Sequence, residues 1–363
     1  MEKAALPEEI IEHILTFLPV KSLIRFTCVS KRFRSIILSD PKFAQSQFQA
    51  VRDRKTLDHR LLYSIDGPRF ESLDLKTPSF GDPSSVRKLK LPFPSPSSAV
   101  VLLGSCNGIV FLAFAEKIFY MWNPSTGFFK KIPHPGFSKI DNELLFYGVG
   151  YLPAADDYRV LVVSMDCIDV KNEGAIYSSK AHAWKTLEAD VLSIISYQGT
   201  FLKEALHWLD TQDEIEAFDL TQQEEHKFRK MLLPRDFNDG GGDYYENHLG
   251  VSAGGYLSLA RNLYVCGDSV DIWVMGEYGV RDSWTKRFNL KFSHPPRQDW
   301  NFNSVLVLET TMVAEIYVHK RHEIGRGLVK IGKKEEDTRS MYKDEGDWLN
   351  MIQYQESLLR IED

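Results

Sequence analysis

The chain has 363 residues, 43% hydrophobic and 12% aromatic, which is enough apolar material for one small and one large domain and argues against disorder. A formal net charge of -6, with no sustained run of Lys and Arg, argues against nucleic-acid binding, because phosphate recognition calls for a basic stripe. Cys28, Cys106, Cys167 and Cys266 lie far apart with no Cys-x-x-Cys pair, so zinc-ligand spacing and a disulfide framework are both absent, and the thiols read as reduced core residues of a cytoplasmic or nuclear protein.

The opening MEKAALPEEIIEHIL has no basic start followed by a continuous apolar run, so it does not read as a signal peptide. Leu6, Ile10, Ile11, Ile14, Leu15 and Leu18 form one apolar stripe on a helix. Pro7 suits the first turn, Glu8 and Glu9 complement the helix dipole there, and Pro19 ends the helix. A second helix is expected over 21–29, carrying Leu23, Ile24, Phe26 and Val29. Ser30 is placed to cap a third, with Phe33, Ile36 and Ile37 as its apolar residues. Asp40-Pro41 repeats the cap-then-proline pattern before a polar helix containing Phe43, Phe48 and Val51. Helices this short cannot close a core alone, so part of their apolar surface must meet a partner or the rest of the chain.

The run LPEEIIEHILTFLPVKSLIRFTCVSKRFRSII, continued by DPKFAQSQF, resembles the F-box family. The Leu-Pro-x-Glu start, the Leu18-Pro19 break, the Val-Lys-Ser-Leu step and the Cys-Val-Ser-Lys close all fall in place over roughly the first 48 residues. Phe33 stands where many members carry Trp. The resemblance implies a helical module that inserts into the Skp-type adaptor of an SCF (Skp–cullin–F-box) ubiquitin ligase and, through it, meets the cullin. Mapped onto this chain, it implies adaptor contacts by Leu6, Pro7, Ile10, Leu15, Leu18, Pro19, Ser22, Leu23, Phe26, Val29, Lys31 and Phe33. Lys31 is the rim charge of that set. The pattern does not separate adaptor contacts from the module's own core.

Past residue 60 the period changes to short alternating strands bounded by Gly, Pro, Asn, Asp and Ser. Residues 99–115 are the most apolar stretch, but Gly104-Ser105-Cys106-Asn107-Gly108 cuts it, giving two buried strands around a turn and no membrane span. The protein therefore reads as soluble. The proline-rich KLPFPSPSS at 90–98 can be neither a central strand nor a helix and reads as a connection. From residue 105 on, four units repeat an apolar strand, a short turn and a strand with an aromatic, with Phe128, Trp184, Phe228 and Trp284 in similar places. Their spacing of about fifty residues is in the range of kelch-like propeller blades. An eroded first unit is expected near 61–94 and a last one over 304–361, for about six blades.

This region resembles the F-box-associated, kelch-like region of plant F-box proteins, most distinctly in VDIWVMGEYGVRDSWTKRF, WNPSTG and YQESLL. The expected fold class is α+β multidomain: a helical F-box module over 1–50, then an all-β kelch-like propeller over 51–363. Kelch grammar is only loosely kept, since Gly254-Gly255-Tyr256 holds the one double glycine of that kind in these units.

No phosphate-binding loop, His-Glu-x-x-His or Gly-x-Ser-x-Gly elbow occurs, and His182, His207, His226 and His248 fall in different units. No catalytic residue, metal ligand or cofactor is assigned. The pairs Asp156-Asp157 and Glu224-Glu225 read as solvated turn carboxylates. Loops at 79–88, 135–142, 166–174, 238–247 and 294–302 are the candidate target-binding surface, with Tyr244, Tyr245 and Trp300 as aromatic anchors. The reading that follows is a non-catalytic substrate receptor bridging the adaptor and a target protein, without nucleic-acid or membrane contact. Its alternatives are an interaction protein outside ligase work and a propeller that binds a small ligand or glycan.

Overall fold

The computed structural model describes residues 7–54, 56–65, 68–75, 80, 83–94, 99–114, 118–137, 143–166, 171–187, 193–222, 228–235, 245–252, 254–263, 269–291, 300–307, 311–320, 323–332, 339–343 and 350–360. These form two compact units, one of residues 1–76, 87–133 and 352–363, the other of residues 77–86 and 134–351.

The first unit opens with four helices, α1 (Glu8–Leu15), α2 (Val20–Phe26), α3 (Lys31–Ser39) and α4 (Pro41–Asp53). Their boundaries follow local chemistry. Pro7 and Pro19 hold the N-cap positions of α1 and α2, where a missing N–H costs nothing. The Ser30 hydroxyl accepts from the Phe33 N–H at 3.1 Å, and Asp40 Oδ1 accepts from the Lys42 N–H at 2.8 Å. The apolar faces meet in a core of Leu15, Val20, Leu23, Ile36, Ile37, Phe43 and Ala44, completed by Leu358 from the far end of the chain. Gln47 Nε2 donates to the Leu18 carbonyl at 3.1 Å, which ties α4 to the end of α1.

Two four-stranded sheets complete this unit. The first runs in the order β24 (Asn350–Gln355), β1 (His59–Ile65), β2 (Arg69–Asp74), β3 (Val86–Leu89). The second runs β4 (Val100–Cys106), β5 (Ile109–Phe114), β6 (Phe119–Trp122), β7 (Phe129–Ile132). The interrupted apolar stretch thus forms two strands as expected, turned by Asn107 (φ 53°) and Gly108 (φ 82°). Leu62, Phe70, Val110, Leu112, Trp122 and Tyr354 pack between the sheets. Phe93, from the proline-rich connection, stacks on Tyr120 with centroids 4.1 Å apart and pegs that connection into the core.

One expectation is corrected. Residues 350–355 do not belong to a last unit but form a strand of the first sheet. Ser72 and Tyr354 share a 2.8 Å hydrogen bond between their hydroxyls, and buried Arg60 lies 3.8 Å from the carboxylate of buried Glu356. Those buried polar partners select this pairing from both sides.

The second unit holds four antiparallel sheets. They are β8 (Glu143–Leu152) to β11 (Ala183–Leu187) through β9 (Asp157–Asp166) and β10 (Lys171–Ser178); and β12 (Thr200–Leu202), β13 (Ala205–Leu209), β14 (Glu214–Asp219), β15 (Phe228–Leu232). Next come β16 (Tyr245–Val251), β17 (Leu257–Leu263), β18 (Ser269–Met275), β19 (Trp284–Lys291), and finally β20 (Trp300–Val307), β21 (Thr311–Lys320), β22 (Glu323–Gly332), β23 (Arg339–Lys343). Two of the four repeating aromatics fill wedges between neighbours: Phe228 packs with Phe146, Trp208 and Phe218, and Trp284 with Leu209, Met231 and Leu259, whereas Trp184 packs on Tyr177 of its own sheet. Six four-stranded sheets among the described residues agree with the expected number of about six blades.

Candidate protein-docking surface

Once the helical core is filled, several large apolar side chains of the module are left in solvent. Ile10, Ile14 and Phe17 lie along one face of α1 and the turn after it, 46%, 49% and 51% exposed. Phe26, at the end of α2, and Val29 (65% exposed) lie just before Ser30. Burying a Val, Ile or Phe side chain is worth about 1.5–3 kcal/mol, so leaving five of them in water marks this module as a surface for another macromolecule. Neighbouring side chains hold the patch in place. The Arg54 guanidinium sits 3.7 Å over the Phe17 ring, and His13 meets the same ring edge-on at 5.0 Å. Phe26 rests against Phe33 at 6.1 Å, so the phenylalanine in place of the common Trp still supplies an aromatic neighbour. An exposed Arg32–Glu8 ion pair of 2.9 Å links α3 to the start of α1.

The residues proposed from the motif separate into three groups. Pro7, Ile10, Pro19, Phe26, Val29 and Lys31 are exposed, and Leu18, Ser22 and Phe33 are half-buried. Leu15 and Leu23 are buried in the module's own core, Leu23 completely, so they support the surface and do not form it. Leu6 lies outside the described residues. Ile14 and Phe17 complete the α1 face and are not among the contacts implied by the motif, although Ile14 belongs to the apolar stripe read from the sequence.

Comparison with known proteins shows the family to which these helices and strands belong. The model of the F-box domain matches residues 4–45, and that of the F-box associated beta propeller domain matches residues 62–361. The chain belongs to the F-box family. The F-box protein CPR1 of Arabidopsis thaliana is 29% identical over 319 residues, covering 79% of this chain and 73% of its own length. An F-box/kelch-repeat protein of the same plant is also 29% identical, over 304 residues, covering 78% of this chain and 79% of its own. The propeller of this F-box protein is thus of the F-box-associated kind, and kelch is a label that some of its relatives carry.

The propeller's candidate anchors are less well placed. Tyr244 lies outside the described residues, as does most of the loops around it. Tyr245 opens β16 opposite Leu263, and Trp300 opens β20 opposite Val318. Some described polar clusters reach the surface, such as the Arg235–Asp282 pair, and one is internal. Asp157 is buried, not a solvated turn carboxylate: it accepts from the Ser178 and Ser179 hydroxyls and the Lys180 N–H at 2.7, 3.1 and 2.9 Å and pairs with Arg159 at 2.6 Å. This locks the β8–β9 turn to the β10–β11 turn. His182 hydrogen-bonds the Tyr177 hydroxyl at 2.8 Å. No group of three or more metal-ligating side chains comes together among the described residues.

Proposed function

We propose that this F-box protein is the substrate-recognition subunit of an SCF-type ubiquitin ligase. The exposed apolar side chains of α1 and α2 dock onto a Skp-type adaptor, and the propeller captures a target protein. The subunit needs no nucleophile of its own, because it acts by holding the target at high effective concentration near subunits that transfer ubiquitin. The observation that carries this reading is the pair of exposed apolar patches, Ile10–Ile14–Phe17 and Phe26–Val29, on a helical module whose core is already complete. The exposed thiol of Cys28 and the unpaired Cys106 suit a reducing compartment, cytoplasm or nucleus.

The test is co-purification of the full chain with a Skp-type adaptor. Phe26→Asp and Val29→Asp place a charge in the patch and are expected to abolish binding at micromolar concentration, with circular dichroism and melting temperature unchanged. Leu23→Asp is expected to lose binding together with helical content, since a carboxylate there enters a closed apolar core. A wild-type chain that ignores the adaptor, or charged-patch variants that bind as well as wild type, would overturn the docking reading. Target capture is tested by comparing proteins retained by wild type and by Phe26→Asp when the proteasome is blocked.

A further inference from the structure

The C-terminal tail after β24, Glu356 to Arg360, threads between the helices and the second sheet, all within the first unit. Leu358 is 2% exposed and packs with Leu15, Leu23 and Ile37 inside the helical core, with Leu359 partly buried beside it. The adjoining Arg360 donates from Nη2 to the Ser39 carbonyl at the end of α3, 3.1 Å away, and its guanidinium lies 5.3 Å from the Phe128 ring centre. One end of the tail is therefore part of the helical module.

The other end is held by Asn123, which is 1% exposed. Its side chain serves two separate ends. Oδ1 accepts from the Ser125 N–H at 2.8 Å and shapes the β6–β7 turn. Nδ2 donates to the Ser357 carbonyl at 3.0 Å and the Leu359 carbonyl at 2.6 Å, on either side of Leu358. Those two carbonyls leave the sheet ladder with no strand partner, and a side-chain amide is the group that can satisfy both. Gly108 leaves the room: a Cβ there would stand 2.7 Å from the Gln355 carbonyl.

We infer that Asn123 and the C-terminal tail are positioning elements of the docking module. They order α1–α3, and with them the surface that meets a partner, through a tail whose Arg360–Ser39 bond spans 321 positions of the chain. For the adaptor this inference rests on the function proposed above; for the ordering of the helices it stands alone.

The experiment uses full-length Asn123→Asp, Leu358→Ala and Leu358→Met, read by hydrogen exchange and by adaptor affinity. Asn123→Asp keeps the acceptor that shapes the turn and removes the two donors that hold the tail. Leu358→Ala opens a cavity in the helical core, and Leu358→Met refills it. In the first two variants, amides of α1–α3 are expected to exchange about thirtyfold faster or more, while strands β8–β19 keep wild-type rates. Adaptor affinity is expected to fall about tenfold in both and to return in Leu358→Met, because fewer molecules hold the docking-competent arrangement. Wild-type exchange of the helices in both Asn123→Asp and Leu358→Ala would overturn the inference. A wild-type chain that fails to bind the adaptor would overturn the proposed function instead, and the exchange measurement would still decide the role of the tail.

Discussion

His207, on β13, is completely buried and bonds Tyr278 from the β18–β19 turn of the next sheet. Burial above all, and the nearby charge of Arg229, push its pKa down to about 4 against the opposing effect of its hydrogen bond to the Thr200 carbonyl. The neutral ring accounts for the bonds around it: Nδ1–H donates to Thr200 O at 3.0 Å, and Nε2 accepts from the Tyr278 hydroxyl at 2.6 Å. Arg229 Nη2 in turn donates to that hydroxyl at 2.9 Å. Below about pH 6.5 the unfolded chain takes up a proton at this site and the folded one does not, so stability is full above that pH and is lost as pH falls toward 4. The loss at pH 5.5 is expected to be about 1–1.5 kcal/mol. Urea midpoints at pH 7.5 and 5.5 should move less in His207→Gln than in wild type; equal movement would count against the assignment.

Among the elements, the helices were legible because their boundaries are local: Ser30, Asp40, Pro7 and Pro19 act within one turn of where they sit. Many strands of 100–291 were legible for the same reason, their turns marked by Gly, Asn or Asp as at Asn107-Gly108 and Gly127, whereas Lys203-Glu204 makes the β12–β13 turn at positive φ with no such mark. The β4–β5 turn shows how strictly such a position can be held. Gly108→Ala adds a Cβ to a left-handed backbone and drives it toward the Gln355 carbonyl. The cost is expected to be about 2 kcal/mol or more, read as a lower melting temperature. What was not legible is which member of an apolar stripe faces inward. Leu15 and Ile14 are neighbours in one stripe, yet one is buried and the other exposed, because α4 and the tail cover only one side of it. The docking surface was therefore named with two core residues in it and without Ile14 and Phe17.

For the whole molecule, partner choice over long range was the part hidden from the sequence. NMIQYQ reads as a strand anywhere, and only the buried Ser72–Tyr354 and Arg60–Glu356 pairs say that it belongs beside β1. Closing so long a loop is slow, since its entropy is lost before any contact returns it. On refolding from urea, amides of β9 and β10, whose pairing is local, are expected to gain protection before those of β1 and α2. Pulsed hydrogen exchange measures this directly, and protection of α2 ahead of β9 would contradict it.

The tail also bears on synthesis. The ribosome releases the helices long before it reaches Leu358, which fills their core. A chain that stops early, through a nonsense codon or a stalled ribosome, lacks the residue that closes its own docking module. A copy cut short before Leu358 is therefore expected to carry its helices with an open core and a poorly ordered outer face.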